Sequence, residues 1–252
     1  MGRSDLDVLV PGGLQDTALP NQVGNPMDNV TGTAPAPAGP NRQAFQQLYR
    51  DEYNSDPGVF TSQSYDSVAI LILANAAAGE NSGPAIREQM RRIANPAGQD
   101  FGPENFVDAV RAAANGDDVN YQGASSVTNF DENGDPASAS YEVWKFAPQT
   151  DAGIEVVNTR RFESNAGGPS ADNAPGGTGR TIRVGILLPE TGDLGSVGTP
   201  MIQASRIPIQ QVNDADIDLQ VRTQVEDTQT SRQPALSGAN ALVNAGFPAI
   251  SG

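Results

Sequence analysis

The stretch Arg180–Pro200, "RTIRVGILLPETGDLGSVGTP", decides the fold. Ile182 to Leu188 is a short apolar run rich in β-branched residues, bounded by a proline and then by Gly192, Gly195 and Gly198. That composition predicts a buried strand running into a glycine-spaced loop and then a helix. Downstream, the pattern predicts a helix over about Pro200 to Val212, a strand over Asp218 to Asp227, a helix over Pro234 to Ala245, and the start of a strand at "FPAISG". Strands alternating with helices at this spacing imply crossover connections and a parallel sheet, an α/β Rossmann-like architecture flanked by helices. Pro208 falls inside the first of these helices, where a missing N–H predicts a kink.

Upstream, "DLDVLVPGG" predicts a buried strand at Val8 to Val10 ended by a tight turn at Pro11-Gly12-Gly13, and "VTGTAPAPAGP" (Val30 to Pro40) reads as an extended connector, too rich in proline for an inner strand. Asn41 is placed to cap a helix carrying Phe45, Leu48 and Tyr49 on one stripe. Ser64 to Ala78 predicts a mostly buried helix, Gly83 to Ala94 an amphipathic one with Ile86, Met90 and Ile93 on a face, and "GPENFVDAVRAAANG" another. The periodicity then alternates. "SSVTNFDENGDPASASYEVWKF" predicts two strands around a turn, and "IEVVNTRRFE" a third. Residues 164–179 hold no large apolar side chain and predict a flexible tether. The chain therefore divides into 1–163, the tether 164–179, and 180–252, the first and last packing as one lobe.

The chain has 252 residues, no cysteine and no histidine. Disulfides, thiolate nucleophiles, histidine relays and Cys/His metal sites are excluded. "DENGDPASASYE" (Asp131 to Glu142) spaces oxygen side chains like a calcium loop, but Pro136 stands where the loop needs glycine, so a plain hairpin turn is the better reading and no metal is expected. The glycines of "GILLPETGDLGSVG" fit neither the Walker nor the dinucleotide spacing, so no nucleotide cofactor is expected. A loop between a strand's carboxyl end and a helix's amino end still presents backbone N–H groups to an anionic ligand group, and the same glycines also serve simply to turn the chain. Asp66, Glu190, Asp193 and Asp227 are the acids available for hydrolytic chemistry, but nothing in the sequence pairs them, which argues against an enzyme.

The net charge is −15, with Lys145 the only lysine. This surface repels nucleic acid and suits a protein of a high-salt environment. No apolar run reaches membrane-spanning length, and no signal-peptide pattern begins at Met1.

Residues 180–252, through "VGILLPETGDL", "QQVND", "VEDTQT" and "FPAISG", resemble the amino-terminal segment of extracytoplasmic solute-binding proteins of the branched-chain amino acid type, receptors of ABC importers with a type I periplasmic-binding fold. Residues 5–163 resemble the carboxyl-terminal segment of the same family through "TGTAPAP", "AFQQLYRDEY", "SQSYDSVAIL", "AIREQMRRIA" and "GASSVTNFDENGDPASASYEVWKF". The two segments stand in permuted order, with the family's middle missing between them. The resemblance implies a receptor that closes on a small polar solute, tethered outside the cell membrane and delivering to a permease. A rearranged or truncated form with little ligand binding, or a ligand-sensing domain, is the alternative. It also implies ligand contacts at Leu194, Ser196 and Val197 in the glycine loop, at Phe60 and Gln63 beside "SQSYD", and at Gly12 and Gly13 of "PGGL". Many relatives place an acid where Gly12 stands. Its replacement favours a neutral amide, a urea-like solute or a short carboxylate over a free amino acid.

Self-repulsion in an acidic chain is relieved by salt, so the thermal midpoint followed by circular dichroism is expected to fall as molar salt is diluted away. An unchanged midpoint in dilute buffer would contradict the high-salt reading.

Overall fold

The computed structural model describes residues 7–24, 27–28, 30–150, 153–168 and 173–252. In chain order the elements are β1 (Val8–Pro11), α1 (Leu19–Val23), β2 (Val30–Pro35), α2 (Arg42–Tyr53), α3 (Thr61–Ala78), α4 (Gly83–Ala94), β3 (Gln99–Phe101), α5 (Phe106–Ala114), β4 (Val119–Tyr121), β5 (Ser138–Ala147), β6 (Gly153–Glu163), β7 (Arg180–Leu188), α6 (Gly195–Asn213), β8 (Leu219–Asp227), α7 (Arg232–Asn244) and β9 (Ile250–Ser251). The protein is α/β. Two compact units share the chain: Met1–Ala36 with Ala139–Phe162, and Pro37–Ser138 with Glu163–Gly252.

In the larger unit β7 is the middle strand of a three-stranded sheet ordered β8-β7-β9. It pairs in parallel with β8 from Arg180↔Leu219 to Leu188↔Asp227, and with β9 at Gly185↔Ile250 and Ile186↔Ser251. Helices α6 and α7 make the crossovers. Because a strand's side chains alternate between faces, β7 divides its residues. Ile182, Val184, Ile186 and Leu188 join the core formed with α3 and α6. On the other face a Cβ added at Gly185 would stand 3.1 Å from both Leu242 methyls of α7.

Helix α3 is apolar around its circumference, and Tyr65, Val68, Ala69, Ile72, Leu73, Ala74 and Ala76 are wholly buried, as such a helix requires. Helix α6 runs alongside it, and α6 begins at Gly195, about one and a half turns before the position that periodicity suggests. It continues through Pro200 and Pro208 as one helix. Polar side chains lock it in place: Tyr49 and Tyr65 donate their hydroxyls to the Gln203 and Gln211 side chains at 2.9 and 2.7 Å, and Tyr53 donates to the Gln203 carbonyl at 2.9 Å. Each phenol thus buries its ring and still finds an acceptor. Burial pushes the Tyr65 hydroxyl well above its ordinary pKa.

Two features differ from local expectation here. Asn41 makes no side-chain cap and instead donates Nδ2 to the Gln122 carbonyl at 2.7 Å. The stretch before β5 forms a compact loop with isolated bridges at Gln122↔Val127 and Phe130↔Pro136 rather than a second strand. Its turn is closed by Asp131, whose Oδ1 accepts the N–H groups of Asn133 and Asp135 at 2.8 and 3.0 Å. The described parts of 164–179 are held through their backbone, which composition does not report: Gly167 N–H donates to Phe130, Gly176 to Ala77 and Gly177 to Ala114, each at 2.8 Å. Residues 169–172 of this stretch lie outside the described residues.

The smaller unit holds a four-stranded sheet ordered β1-β2-β5-β6, with β1 and β2 parallel and β2 and β5 antiparallel. The proline-rich stretch is therefore an inner strand, a correction to its reading as a connector. Val30, Gly32 and Ala34 alternate into the interior, and Pro35 falls at the strand's end, where a missing donor is tolerated. The expected buried strand Val8 to Val10 forms, but as an edge with Leu9 71% exposed. Trp144 of β5 lies flat against Gly32, where an added Cβ would fall 2.1 Å from the indole. Gly32→Ala is expected to destabilise the smaller unit by about 1–3 kcal/mol through overpacking, read as an earlier Trp144 fluorescence transition in urea.

Candidate functional site

The carboxyl ends of β7 and β8 carry the glycine loop 189–194 and the turn after Asp227, and β9 brings Ser251 beside Ile186. Asp227 binds the first two together. Its Oδ1 accepts the N–H groups of Glu190, Thr191 and Gln229 at 2.9, 3.1 and 2.8 Å, and its Oδ2 accepts the Thr191 hydroxyl at 2.5 Å. Thr230 Oγ1 accepts the Leu194 N–H at 3.0 Å. The Thr191 hydroxyl, helped by those N–H groups, holds Asp227 below the usual carboxylate range. Gln229 and Thr230 have φ of 51° and 50°, and a Cβ on Gly192, whose φ is 84°, would stand 2.4 Å from the Gln229 carbonyl. Two left-handed non-glycine residues in succession are held there by the loop-to-loop bonds. A carboxylate so committed orders the loop.

The amino ends of α3 and α6 lie at this same end of the unit: a Cβ on Gly58 would stand 4.0 Å from that of Pro200, and Ser205 Oγ reaches the Ser64 carbonyl at 3.5 Å. Five of the sequence-derived ligand residues are thereby gathered. Leu194 and Val197 are half-buried and Ser196 exposed where α6 starts, Phe60 precedes α3 with φ of 63°, and Gln63 follows in its first turn. Gly12 and Gly13 belong to the other unit, in a 3-10 turn directly after β1.

A cavity of about 300 Å³ extends from Gln63 along α3, bounded by Ser67, Ile70 and Leu71 of that helix, Met90 of α4, Ile250 of β9, and Ser125 to Phe130 of the loop before β5. Its size suits a small solute. Phe60, Leu194, Ser196 and Val197 stand outside its lining. Ser251 Oγ donates to Ser67 Oγ at 2.8 Å and so ties the last strand to the cavity wall. The opposite wall is stapled by buried Asn95, which donates Nδ2 to the Phe130 and Gly167 carbonyls at 2.8 and 2.6 Å and accepts the Phe130 N–H at 2.8 Å.

Two polar groups set the cavity's chemistry. Asp66 lies at its inner edge, 3% exposed, and its carboxylate accepts the Tyr121 hydroxyl at 2.8 Å, the N–H groups of Ala124 and Ser125 at 3.0 and 2.7 Å, and the Ser125 hydroxyl at 2.5 Å. Burial raises its pKa, against the pull of those four donors. It is a buried hub that joins α3 to the loop at 121–125. Asn129, by contrast, has its Oδ1 out of water with no hydrogen-bond partner. An orphaned buried acceptor is costly.

Sequence reasoning missed Ser67, Met90, Asn129 and Phe130. Ser67 was findable, because Gln63, Ser67, Ile70 and Leu71 fall at i, i+4, i+7 and i+8 on one helical stripe. Asn129 and Phe130 had no local signal, since a loop brings them. Among the described residues no group of three or more acids is placed to hold a metal ion, and no helix is long and apolar enough to cross a membrane. Compared with protein-family models, curated proteins and solved structures, the chain matches none.

Asp227→Asn tests the loop lock. The folded-state pKa of Asp227 is below its ordinary 3.8, so its contribution is present above that value and lost as pH falls through the lowered one. The variant is expected to lose stability at neutral pH and to show less acid-induced loss below 3.8 than the parent. Hydrogen exchange at the Glu190 and Thr191 amides should quicken by about tenfold.

Proposed function

We propose that the protein is a solute-binding receptor of the ABC-importer type, working by capture of a small polar solute rather than by chemistry. The observation that carries this reading is the cavity of about 300 Å³ along α3, where Gln63 and Ser67, Asn129 of the loop before β5 and Ile250 of β9 combine neutral polar groups with apolar walls. The sequence resemblance supports the same assignment and, with it, a location outside the cell membrane and a permease as partner.

The cavity also bears on the ligand. Its one carboxylate, Asp66, already accepts four protein donors, so it offers no uncommitted acid to pair with an ammonium group. Gln63, Ser67 and Asn129 provide neutral hydrogen-bonding groups above an apolar floor of Ile70, Leu71 and Phe130. A neutral amide or urea-like solute suits that lining better than a free amino acid.

A thermal-shift screen of amides, ureas and amino acids in molar salt tests the proposal. A ligand at about a hundredfold its Kd stabilises the native state by about 2.7 kcal/mol, a shift of several degrees. The expected result is such a shift with a neutral amide or urea, reduced at least tenfold in apparent affinity by Asn129→Ala or Gln63→Ala. Cooperative melting with no shift for any solute would overturn the receptor reading.

A further inference from the structure

The smaller unit ends in an unusual edge. Strand β6 is the last of its sheet, spans Gly153–Glu163, and is exposed along nearly its whole length, with Val156 and Val157 each 48% and Phe162 56% open to solvent. Edge strands normally carry proline, lysine or a charge excess that prevents pairing with another chain. Strand β6, "GIEVVNTRRFE", has neither proline nor lysine, and its two acids balance its two arginines in a chain of net charge −15. The segment is electrically neutral where the rest of the molecule repels its own kind.

We infer that β6 is a self-pairing edge, and that two copies of the chain join through antiparallel β6 strands about a two-fold axis at Asn158. A two-fold axis perpendicular to the joined sheet pairs only residues on the same face, so the two positions in each pair must share parity. Centred on Asn158, the pairing sets Glu155 opposite Arg161 twice and Ile154 opposite Phe162 twice, with Val157 opposite Thr159 and Val156 opposite Arg160 between them. Opposite charges and apolar pairs facing across strands each stabilise the ladder. The neighbouring registers lack this match. Centring on Thr159 sets Glu155 against Glu163, and centring on Val157 sets Glu155 against Thr159 and Arg161 against Gly153, so that neither meets an opposite charge. Within its own sheet Glu155 Oε2 also meets Lys145 Nζ at 3.1 Å, which places the carboxylate in a line of alternating charge running from β5 across the joint.

Sedimentation equilibrium of the full chain, in the salt that keeps it folded, is expected to show a monomer–dimer equilibrium. Arg161→Glu should weaken the dimer by about tenfold or more, since both cross-strand pairs become repulsive. Adding Glu155→Arg should restore it, because opposite charges then face each other again. Circular dichroism melts of each variant separate loss of pairing from loss of fold. The absence of cysteine allows a direct test of register. Asn158→Cys places the two thiols opposite each other, within disulfide reach in either kind of antiparallel pair, so mild oxidation should crosslink it, whereas Thr159→Cys faces Val157 and should not. A parent chain that stays monomeric at every concentration, a charge swap that fails to rescue, or equal crosslinking at both positions would overturn the inference.

Discussion

The enclosure of α3 is the constraint on which the larger unit depends. A helix that is apolar on every side gains nothing by lying on a surface, so it is stable only where other elements cover its whole circumference. The parallel sheet with α6, the helices α4 and α5, and the loop before β5 supply that cover. In doing so they fix what surrounds the cavity, because the one stripe of α3 that carries Gln63, Ser67 and Leu71 is left as its wall. The candidate site is therefore a consequence of how the core helix is enclosed.

Enclosure brings polar atoms out of water, and the fold satisfies most of them by pairing across long sequence distances. Asp66 joins α3 to the loop at 121–125, and tyrosines of α2 and α3 reach glutamines of α6. An unpaired carboxylate or phenol at these positions would cost several kcal/mol, so these contacts specify the packing as firmly as the apolar ones do. Asn129 Oδ1 is among the exceptions, buried without a hydrogen-bond partner.

Two of the four acids named from the sequence, Asp66 and Asp227, sit in opposite environments. Asp66 is buried, and desolvation raises its pKa; Asp227 faces backbone donors at the surface, and the Thr191 hydroxyl lowers its pKa. Both do structural work. The residue types were visible in the chain, but their roles depend on which N–H groups the loops deliver, and that is settled only when the strands align.

Hydrophobic periodicity by itself determined the strand-helix-strand-helix-strand order of 180–252 and the apolar helix at 64–78, because strands and helices impose repeats that a linear chain displays directly. It also marked the glycine loop as a feature of the carboxyl end of a parallel strand, whereas Gln63 was named only through the family resemblance. Tertiary structure decided what local pattern cannot encode. The proline-rich segment 30–35 became an inner strand because Gly32 admits Trp144, and residues 164–168 and 173–179 are fastened by backbone bonds that leave no trace in composition. The cavity wall at Asn129 and Phe130 was set by Asn95, thirty-five positions before Phe130. Contacts between residues so far apart depend on the path of the chain, and that path is fixed by the enclosure of the core rather than by any neighbouring residue.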